Sequence, residues 1–340
     1  MSEASARQAG YPDAPDVEVL ICTHNRADLL ARTLDSLNAS DPPADCRLGI
    51  LVVANACTDG TRAFLEGYVA SLDPASNRDA ERHGNRLPLR WLEDPIAGKS
   101  HALNFALPQT TGAVIAFVDD DHRVDTGYLK AVCSASRQYP SAALFCGRIL
   151  PDWDGTEPDW VHEDGPYRIY PLPVPRFDLG QEAKTVTLGS VTPGGGNLAI
   201  RRGLFERVGE FQLDLGPHGH NLGGAEDIEW VRRSLRGGAT LHYIPDMLQY
   251  HYVDAERLTL WYVMRKAYER TASTTRLALD DNQGSRVPRF MIRKVLTYLL
   301  KAATSLGSSR RRFYLTRLAA AFGEIKGFQL QKHHQHNNTP

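Results

Sequence analysis

The sequence lacks the long apolar runs and the charge bias that mark several classes of protein. No window of its 340 residues holds 18 consecutive apolar side chains, which excludes a simple membrane-spanning helix. The first residues, MSEASARQAGYPDAPD, have no apolar stretch, so we expect no secretory signal peptide. The formal net charge is −1, which gives no general attraction for nucleic acid. We therefore expect a cytoplasmic globular protein with no nucleic-acid partner.

Cysteine is also scarce, and its spacing excludes the usual paired-cysteine motifs. The five cysteines are Cys22, Cys46, Cys57, Cys133 and Cys146. No C-x-x-C occurs, and three of the five lie in or beside apolar, strand-like runs. We expect reduced thiols in the core, as in a cytoplasmic enzyme.

Strand-like and helix-like segments alternate through the first 150 residues. Strands are predicted at 17–23, 48–54, 89–94 and 113–118, and helices at 27–37, 61–72, 100–107 and 126–139. This order predicts an α/β fold with a mostly parallel central sheet flanked by helices. Ligands of such sheets bind beyond the carboxyl ends of the strands, where CTHNR, TDGT and DDDH all fall.

Three consecutive carboxylates follow the last of these strands, in the stretch FVDDDH. On an extended backbone Asp119 and Asp121 would share one side, and Asp120 would point to the other. Clustered like charges need a positive partner, and hard oxygen ligands suit Mg²⁺ or Mn²⁺. The cluster therefore predicts a divalent cation site, unless the aspartates only cap the next helix or face solvent.

Two further motifs place titratable groups near the ends of predicted elements. In GGAEDIEW, Glu226 and Asp227 begin a predicted helix after a glycine-rich run. A carboxylate there is either an N-cap or a general base at the rim of a cleft. In LQYHYV, His251 is either a packed side chain or an imidazole ligand. Beside two aspartates it would complete a mixed nitrogen and oxygen site suited to Mn²⁺.

The motifs also have a characteristic order along the chain: CTHNR, VVANACTDGT, GKSHALNFAL, FVDDDH, GGGNLAIRR, GGAEDIEW and YHYV. Together they resemble the family 2 glycosyltransferases of the GT-A fold, a Rossmann-like α/β architecture, over roughly residues 17–254. The resemblance implies an inverting enzyme that moves a sugar from a nucleotide-diphospho-sugar to an acceptor hydroxyl. The resemblance does not decide whether the donor is linked to UDP, GDP or dTDP. It also does not decide whether the acceptor is a sugar, a lipid-linked or another molecule of polysaccharide, glycolipid or other glycoconjugate biosynthesis.

The resemblance assigns metal and catalytic residues by position in these motifs. Asp121, Asp119 and His251 would hold the divalent cation, Mn²⁺ or Mg²⁺. Asp227 would be the general base, with Glu226 as its supporting partner. The base would deprotonate the acceptor hydroxyl for one in-line displacement, which inverts the anomeric configuration without a covalent intermediate.

A larger set would bind the nucleotide sugar: Thr23, Asn25, Arg26, Asn55, Lys99, Asn104, Asp119, Asp120, Gly195 and Gly196. The glycines would let the backbone approach the donor sugar, since they lack a Cβ. One position departs from the family pattern, because Ala54 stands where an aspartate usually reads the nucleobase. Alanine cannot accept a hydrogen bond, so either Asn55 or Asp59 replaces it, or the base is read differently. Asp59 is equally suited to cap the following helix.

The resemblance and the composition divide the chain into four parts. Residues 1–16 are predicted to be a disordered segment, 17–254 the GT-A domain, 255–330 a helical region and 331–340 a disordered tail. The GT-A domain would comprise a nucleotide-binding half, 17–125, and an acceptor-binding half, 126–254.

Two stretches outside the motifs each have two interpretations. The segment 151–185 is rich in Pro, Trp and Tyr, and is either a stiff surface excursion or a wall that offers aromatic rings to sugars. The rings in question belong to Trp153, Trp160, Tyr167 and Tyr170.

The second stretch, 286–317, carries nine Lys or Arg and no acidic residue. Its apolar helical face would consist of Met291, Ile292, Val295, Leu296, Leu299 and Leu300, opposite Arg286, Arg289, Arg293 and Lys301. This pattern fits either peripheral contact with the inner face of a membrane, or a helix packed on the protein with a solvated basic face.

Two other functions compete with glycosyl transfer. A nucleotidyltransferase on a similar α/β fold would also need clustered aspartates, although it more often has a glycine-rich signature where this chain has CTHNRADLL. A non-catalytic nucleotide-sugar-binding protein would not need Glu226 and Asp227, because binding alone requires no base.

Overall fold

The computed structural model describes residues 13–72, 86–213, 226–278 and 287–337. The chain forms two compact units, Met1–Asp152 with Arg176–Tyr252, and Trp153–Pro175 with Val253–Pro340. The second unit includes residues 153–175, whereas the sequence places them inside the 17–254 domain. Most of the predicted disordered segment 1–16 lies outside the described residues.

The first unit alternates strands and helices along the chain. Its strands are β1 (Val17–Thr23), β2 (Leu48–Asn55), β3 (Leu89–Asp94), β4 (Val114–Phe117), β5 (His122–Val124), β6 (Leu144–Asp152), β7 (Lys184–Val186), β8 (Leu198–Arg201) and β9 (Leu241–Tyr252). Its helices are α1 (Ala27–Asn38), α2 (Thr61–Ser71), α3 (Lys99–Ala106), α4 (Tyr128–Gln138), α5 (Gly203–Val208) and α6 (Glu226–Arg236). The elements predicted in the first 140 residues are all present. β5 and β7, of three residues each, are too short to show a sequence period.

The described strands form one sheet in the order β3-β2-β1-β4-β8-β6-β9-β5, with β7 also paired to β9. β3, β2, β1 and β4 run parallel, as the alternating pattern predicts. β8 is antiparallel to both of its neighbours, β4 and β6. β9 is parallel to β6 but antiparallel to β5 and β7. The predicted α/β class is confirmed, and the parallel arrangement holds for the first half of the sheet, whereas the second half is mixed.

Alternate side chains of β1 enter two layers of core on opposite faces of the sheet. Val19 and Ile21 belong to the hydrophobic cluster that includes Leu30 of α1, while Leu20 packs in the cluster that includes Leu103 of α3. Because both faces of the strand are covered, nearly all of its residues are apolar. The polar sequences CTHNR and DDDH follow the carboxyl ends of β1 and β4, which are neighbouring strands.

A buried ion pair joins β1 to β3. The Oε1 atom of Glu18, a fully buried residue, lies 2.7 Å from Nη2 and 3.1 Å from Nε of Arg90. Its Oε2 accepts the backbone N–H groups of Thr111 and Gly112 at 2.7 and 2.9 Å. These bonds offset the cost of removing the carboxylate from water.

The cysteines differ from the expectation of reduced thiols. Cys46, in the loop before β2, and Cys133, in α4, form a disulfide with a Cα–Cα distance of 6.6 Å. Cys22, Cys57 and Cys146 are free. The pair is not evident from the sequence because 87 positions separate its members, and only the packing of α4 brings them together.

The second unit combines the segment 153–175 with helices α7 (Leu260–Ala278), α8 (Arg289–Thr304) and α9 (Ser308–Asn337). Trp160 and Val161 are buried in a cluster with Leu258 and Val263. The final helix continues to Asn337, into the tail predicted to be disordered from 331. None of the helices in the described ranges is both long and apolar enough to cross a membrane.

Most of the aromatic rings of 153–175 are used in packing within this unit. The guanidinium of Arg312 lies over the ring of Trp160 and is 3.0 Å from Glu163. The ring of Tyr167 meets that of Phe313 edge to face. Tyr170 is 77% exposed, so it alone of the four aromatic candidates is open over most of its surface. The interpretation as a stiff, packed excursion fits Trp160 and Tyr167 better than a sugar-binding wall.

Candidate active site

Four separate segments meet beside the carboxyl ends of β1 and β4. A cavity in the first unit is lined by Lys99 at the start of α3, Asp119 after β4, Gly195 before β8 and Asp227 in the first turn of α6. Apolar side chains, among them Phe211, complete its wall. Charged groups therefore converge on a partly apolar cavity, at the sheet edge where ligands of α/β proteins bind.

The three aspartates form a turn and not the extended run expected from their spacing. The backbone N–H of His122 donates to the carbonyl of Asp119 at 3.1 Å, which closes the turn between β4 and β5. The carboxylate of Asp120 is buried, and accepts from the hydroxyl of Thr23 at 2.8 Å and from Arg26 at 3.0 Å. The same guanidinium nitrogen of Arg26 lies 3.1 Å from Asp121.

Two cations of the protein itself accompany this acidic turn. Besides Arg26, the Nζ of Lys99 lies 2.7 Å from Oδ1 of Asp119. Burial favours the neutral form of Asp119, but Lys99 and His122 hold the pKa of its carboxyl well below the usual range. Burial likewise opposes the charge of Lys99, yet Asp119 and Asp227 raise its pKa above the ordinary value. Arg26 and Lys99 therefore supply at least part of the positive charge that the three aspartates require. From the sequence alone, we expected a divalent cation to supply it.

A second group of side chains in this region has the composition of a metal site. Asp121, His122 and His251 are buried, and each offers one ligand atom within 4.8 Å of the others. Nε2 of His251 lies 3.6 Å from Oδ2 of Asp121, and Nε2 of His122 lies 3.9 Å from Oδ1. Asp119, the other predicted ligand, has its Oδ2 at 4.0 Å from Nε2 of His122. Two imidazoles and one carboxylate fit a divalent transition metal such as Mn²⁺.

His122 is a candidate ligand that the sequence did not lead us to assign to the metal site. In the antiparallel pairing of β5 with β9, His122 stands opposite His251. Its Nδ1 lies 2.5 Å from the side-chain oxygen of Gln249, which leaves Nε2 on the side of the aspartates. The histidine of DDDH was the available signal, but only the strand pairing shows that it faces the same group.

The carboxylate of Asp227 is held by two backbone donors. Its Oδ2 accepts the N–H of Gly195 at 2.5 Å, and its Oδ1 accepts the N–H of Ile228 at 2.7 Å. The first turn of a helix favours negative charge. Glu226, its neighbour, is 2% exposed, and its Oε2 has no hydrogen-bond partner among the described residues. Burial and the nearby charge of Asp227 raise the pKa of Glu226.

The glycines before β8 make room for these carboxylates. A Cβ added to Gly195 would lie 2.9 Å from the Cβ of Asp227. A Cβ added to Gly196 would lie 2.6 Å from Oδ2 of Asp119 and 2.9 Å from Cε1 of His122. All three distances are shorter than real Cβ contacts. The two glycines thus allow the aspartates to approach the backbone, in addition to any role in approaching a ligand.

Three asparagines from the predicted nucleotide set are bonded within the protein. Asn55 donates to Asp94 and Ile96 and accepts from the N–H of Gly98 at 2.8 Å. Asn104 forms a pair of 2.8 Å bonds with the backbone of Phe211.

The remaining asparagine has an unusual backbone. Asn25 adopts φ 53°, and its side-chain oxygen accepts the N–H groups of Thr58 and Asp59. These contacts order the loops at the sheet edge, so all three asparagines have supporting tasks in this structure.

The same contacts bear on the position of Ala54, where an aspartate is expected. Ala54 is buried. Its first proposed substitute, Asn55, is engaged as above. The second, Asp59, accepts from the N–H and hydroxyl of Thr61 and from the N–H of Ala27, so it caps α2 and links it to α1. The capping interpretation of Asp59 therefore has structural support.

Comparisons with known proteins identify the family to which this chain belongs. The model of glycosyl transferase family 2 matches residues 18–209, more than half of the chain. Succinoglycan biosynthesis protein ExoM of Rhizobium meliloti (strain 1021) is 25% identical over 79% of this chain and 77% of its own length.

Solved glycosyltransferase structures have the same fold. The mannosyltransferase PcManGT from Pyrobaculum calidifontis, in complex with GDP-Man and Mn²⁺, aligns with a TM-score of 0.51 and 19% identity, covering 94% of this chain and 88% of that one. S. aureus TarS 1–349 in complex with UDP gives a TM-score of 0.51 at 17% identity, covering 95% and 92%. The chain therefore belongs to glycosyl transferase family 2, and it is a glycosyltransferase with the GT-A fold.

Proposed function

We propose that this enzyme transfers a sugar from a nucleotide-diphospho-sugar to an acceptor hydroxyl with inversion, using Asp227 as the general base. The observation that carries the proposal is that Lys99, Asp119 and Asp227 line one cavity, although they lie far apart in the sequence. A carboxylate and a lysine–aspartate pair in a single cavity offer a proton acceptor and a polar anchor for a donor. The nucleotidyltransferase and the non-catalytic binding protein are not favoured by any comparable feature.

The environment of Asp227 suits a base for a hydroxyl proton. Two backbone N–H groups fix the orientation of its carboxylate, so that the group is held in place before the acceptor arrives. Glu226 is the supporting partner of Asp227. The buried Oε2 of Glu226 can accept a hydrogen bond from the acceptor hydroxyl, or share the proton that Asp227 removes. A single displacement with the base on the acceptor side inverts the anomeric centre, and no covalent enzyme intermediate forms.

The donor would lie along the ends of β1 and β4. Thr23, Arg26, Asp120 and Asp121 form one connected polar surface there, and Asp119 precedes them in the same turn, paired with Lys99. Arg26, whose side chain is 44% exposed, would contact the diphosphate. We assign Asn25, Asn55 and Asn104 to ordering this surface. The bound GDP-Man of PcManGT and UDP of TarS support a nucleotide donor, with the base left open.

We further propose that Asp121, His122 and His251 hold a divalent cation, Mn²⁺ or Mg²⁺, with Asp119 beside them. Such an ion, when bound, supplies positive charge that stabilises the departing diphosphate. The mixed nitrogen and oxygen donors favour Mn²⁺ over Mg²⁺. His251→Ala should weaken Mn²⁺ binding in isothermal titration, whereas His242→Ala, a change of histidine on the same strand, should leave it unchanged. Equal Mn²⁺ affinity in both variants would refute this set of metal ligands.

For the acceptor, we propose a hydroxyl of a sugar, a lipid-linked sugar or another glycoconjugate. ExoM is described as a succinoglycan biosynthesis protein, which supports a role in polysaccharide or glycolipid assembly. Assembly of that kind would place the enzyme in the cytoplasm, on or near the inner face of the membrane.

The test of the catalytic assignment separates donor binding from transfer. A panel of UDP-, GDP- and dTDP-sugars with Mn²⁺ identifies the donor by release of free nucleoside diphosphate. Asp227→Asn should retain the thermal stabilisation by the matching nucleoside diphosphate while turnover falls about 10²–10⁴-fold. Asp246→Asn, at an exposed position on β9, is the matched control and should turn over normally. Near-normal turnover by Asp227→Asn would refute the base, and a retained anomeric configuration in the product would refute the inversion.

A further inference from the structure

Helix α8 presents two separate apolar faces. The first packs within the second unit: Met291 and Ala302 are buried, and Lys294 forms a 2.7 Å ion pair with Glu324 of α9. Tyr298, on the same face, stacks with Tyr314 of α9. This inner face attaches α8 to α9. The sequence, by contrast, places Met291 on one apolar face together with Ile292, Leu296, Leu299 and Leu300.

The second face, here called the outer stripe, consists of Ile292, Leu296, Leu299 and Leu300. Their spacing of four, three and one places them within one sector of the helix, turned away from Met291. They are 48%, 60%, 52% and 65% exposed. Leu306, in the turn between α8 and α9, is also fully exposed. The described part of the chain therefore leaves these large apolar side chains in water, which a helix merely packed on the protein would not do.

Basic side chains border the outer stripe. Arg289 and Arg293 fall at the edge of its sector, one turn apart, and both are exposed. Arg310 and Arg311 follow Leu306 at the start of α9 and are exposed as well. No carboxylate of the described residues forms an ion pair with Arg289 or Arg293, and the whole stretch 286–317 has no acidic residue.

We propose that the outer stripe, with Arg289 and Arg293, binds the surface of an anionic lipid bilayer. Leucine and isoleucine would enter the boundary between headgroups and acyl chains, and the arginines would pair with lipid phosphates. The charge favours this occupant over a second copy of the chain, because residues 286–317 of a second copy contain no carboxylate that could pair with Arg289 and Arg293. The absence of a spanning helix from the described ranges agrees with surface attachment.

This inference deepens the proposed location near the membrane, and it does not depend on which residues catalyse transfer. Vesicle binding can succeed or fail whether or not Asp227 is the base, so the two proposals are tested separately. Attachment through α8 would bring the enzyme to acceptors that are themselves anchored by lipid.

The experiment is flotation of the purified full-length protein with vesicles of phosphatidylcholine alone, or with 30% phosphatidylglycerol, at 50 and 500 mM NaCl. We expect binding to the anionic vesicles at low salt, weaker binding at high salt, and little binding to neutral vesicles. Arg289→Glu/Arg293→Glu and Leu296→Gln/Leu299→Gln should each lower the partition coefficient on the order of tenfold or more. Lys130→Glu/Arg207→Glu changes charge equally at exposed positions of α4 and α5, and should bind like the wild type.

The contrary outcomes are equally specific. The proposal is overturned if the wild type does not float with anionic vesicles at low salt, or if the two α8 variants float as well as the control. Light scattering after size-exclusion chromatography examines the second-copy alternative. A wild-type dimer that Leu296→Gln/Leu299→Gln dissociates, without vesicle binding, would assign the outer stripe to self-association. Circular dichroism of each variant establishes that lost binding does not come from lost folding.

Discussion

The Nζ of Lys99 lies 2.7 Å from Oδ1 of Asp119, and this pair connects the start of α3 to the turn after β4. Both side chains are about 30% exposed, so the pair is half-buried. Its members also line the cavity that contains Asp227. The ion pair therefore contributes both to the fold and to the polar surface on which we expect the donor to bind.

Removing both members of this pair should cost less than the sum of the two single removals. Lys99→Met leaves the Asp119 carboxylate half-buried without its cation, and we expect the free energy of unfolding to fall by about 1–3 kcal/mol. Lys99→Met/Asp119→Asn should lose less than the sum of the single changes, because the uncompensated charge is gone. Urea denaturation of the four proteins measures the coupling. Additive losses would show that the pair makes no energetic contribution.

Gly196→Ala should damage activity far more than stability. The new Cβ would meet the carboxylate of Asp119 and the ring of His122, which must shift to make room. A displacement on the order of 1 Å near reacting groups costs about 10²-fold in rate. Gly189→Ala, whose Cβ would have its nearest neighbour at 3.9 Å, is the control and should keep normal kcat/KM. Equal activity of the two variants would contradict the tight packing at Gly196.

Arg90→Ala should be among the most destabilising single changes in the first unit. It strips the fully buried Glu18 of its cation, and such a loss costs about 3–5 kcal/mol. Arg47→Ala removes an ion pair with Asp16 whose arginine side chain is 60% exposed, so we expect hardly any change. Thermal unfolding of both variants distinguishes them, and similar melting temperatures would count against the buried pair.

Two glycine-to-alanine changes should have opposite signs. Gly327 lies where α9 crosses α7, and a Cβ there would be 2.3 Å from the carbonyl oxygen of Ala272. Gly327→Ala should therefore force the helices apart and destabilise the protein by about 1–3 kcal/mol. Gly67, in α2, has open space around its Cβ position, so Gly67→Ala should stabilise by about 0.4–1 kcal/mol. A stabilising effect at Gly327 would refute the close helix crossing.

The disulfide between Cys46 and Cys133 predicts a thiol count. Alkylation of the unfolded, unreduced protein should label Cys22, Cys57 and Cys146 only, which mass spectrometry resolves from full labelling. Cys46→Ser/Cys133→Ser should lower the free energy of unfolding by about 2–4 kcal/mol, because the bond closes a long loop. Full labelling of all five thiols would restore the expectation of a reduced core.

The sequence predicts the first half of the fold well because that half is governed by local signals. β1 is apolar throughout since both its faces are covered, and such runs are visible without any structure. The residues Lys99, Asp119 and Asp227 could be named from motifs alone, and the structure brings them to one cavity.

What the sequence could not supply depends on contacts between distant segments. The extended geometry assumed for Asp119 and Asp121 is wrong, because the chain turns at Asp120 and Asp121 before β5 pairs with β9. The supporting role of Asn104 follows from its bonds to Phe211, 107 positions away. The sequence predicted one apolar face that contained both Met291 and the outer stripe of α8. A helical wheel does not show which part of an apolar face packs against another helix.

The turn that places His122 opposite His251 also restricts how this sequence can change over evolution. Side chains of a strand alternate between its faces, so inserting or deleting one residue between β4 and β5 would send the imidazole of His122 to the other side. A substitution at Arg123, which is exposed, would leave that phase intact. We therefore expect homologous enzymes that retain this pair of histidines and the aspartates before them to conserve the length of the turn.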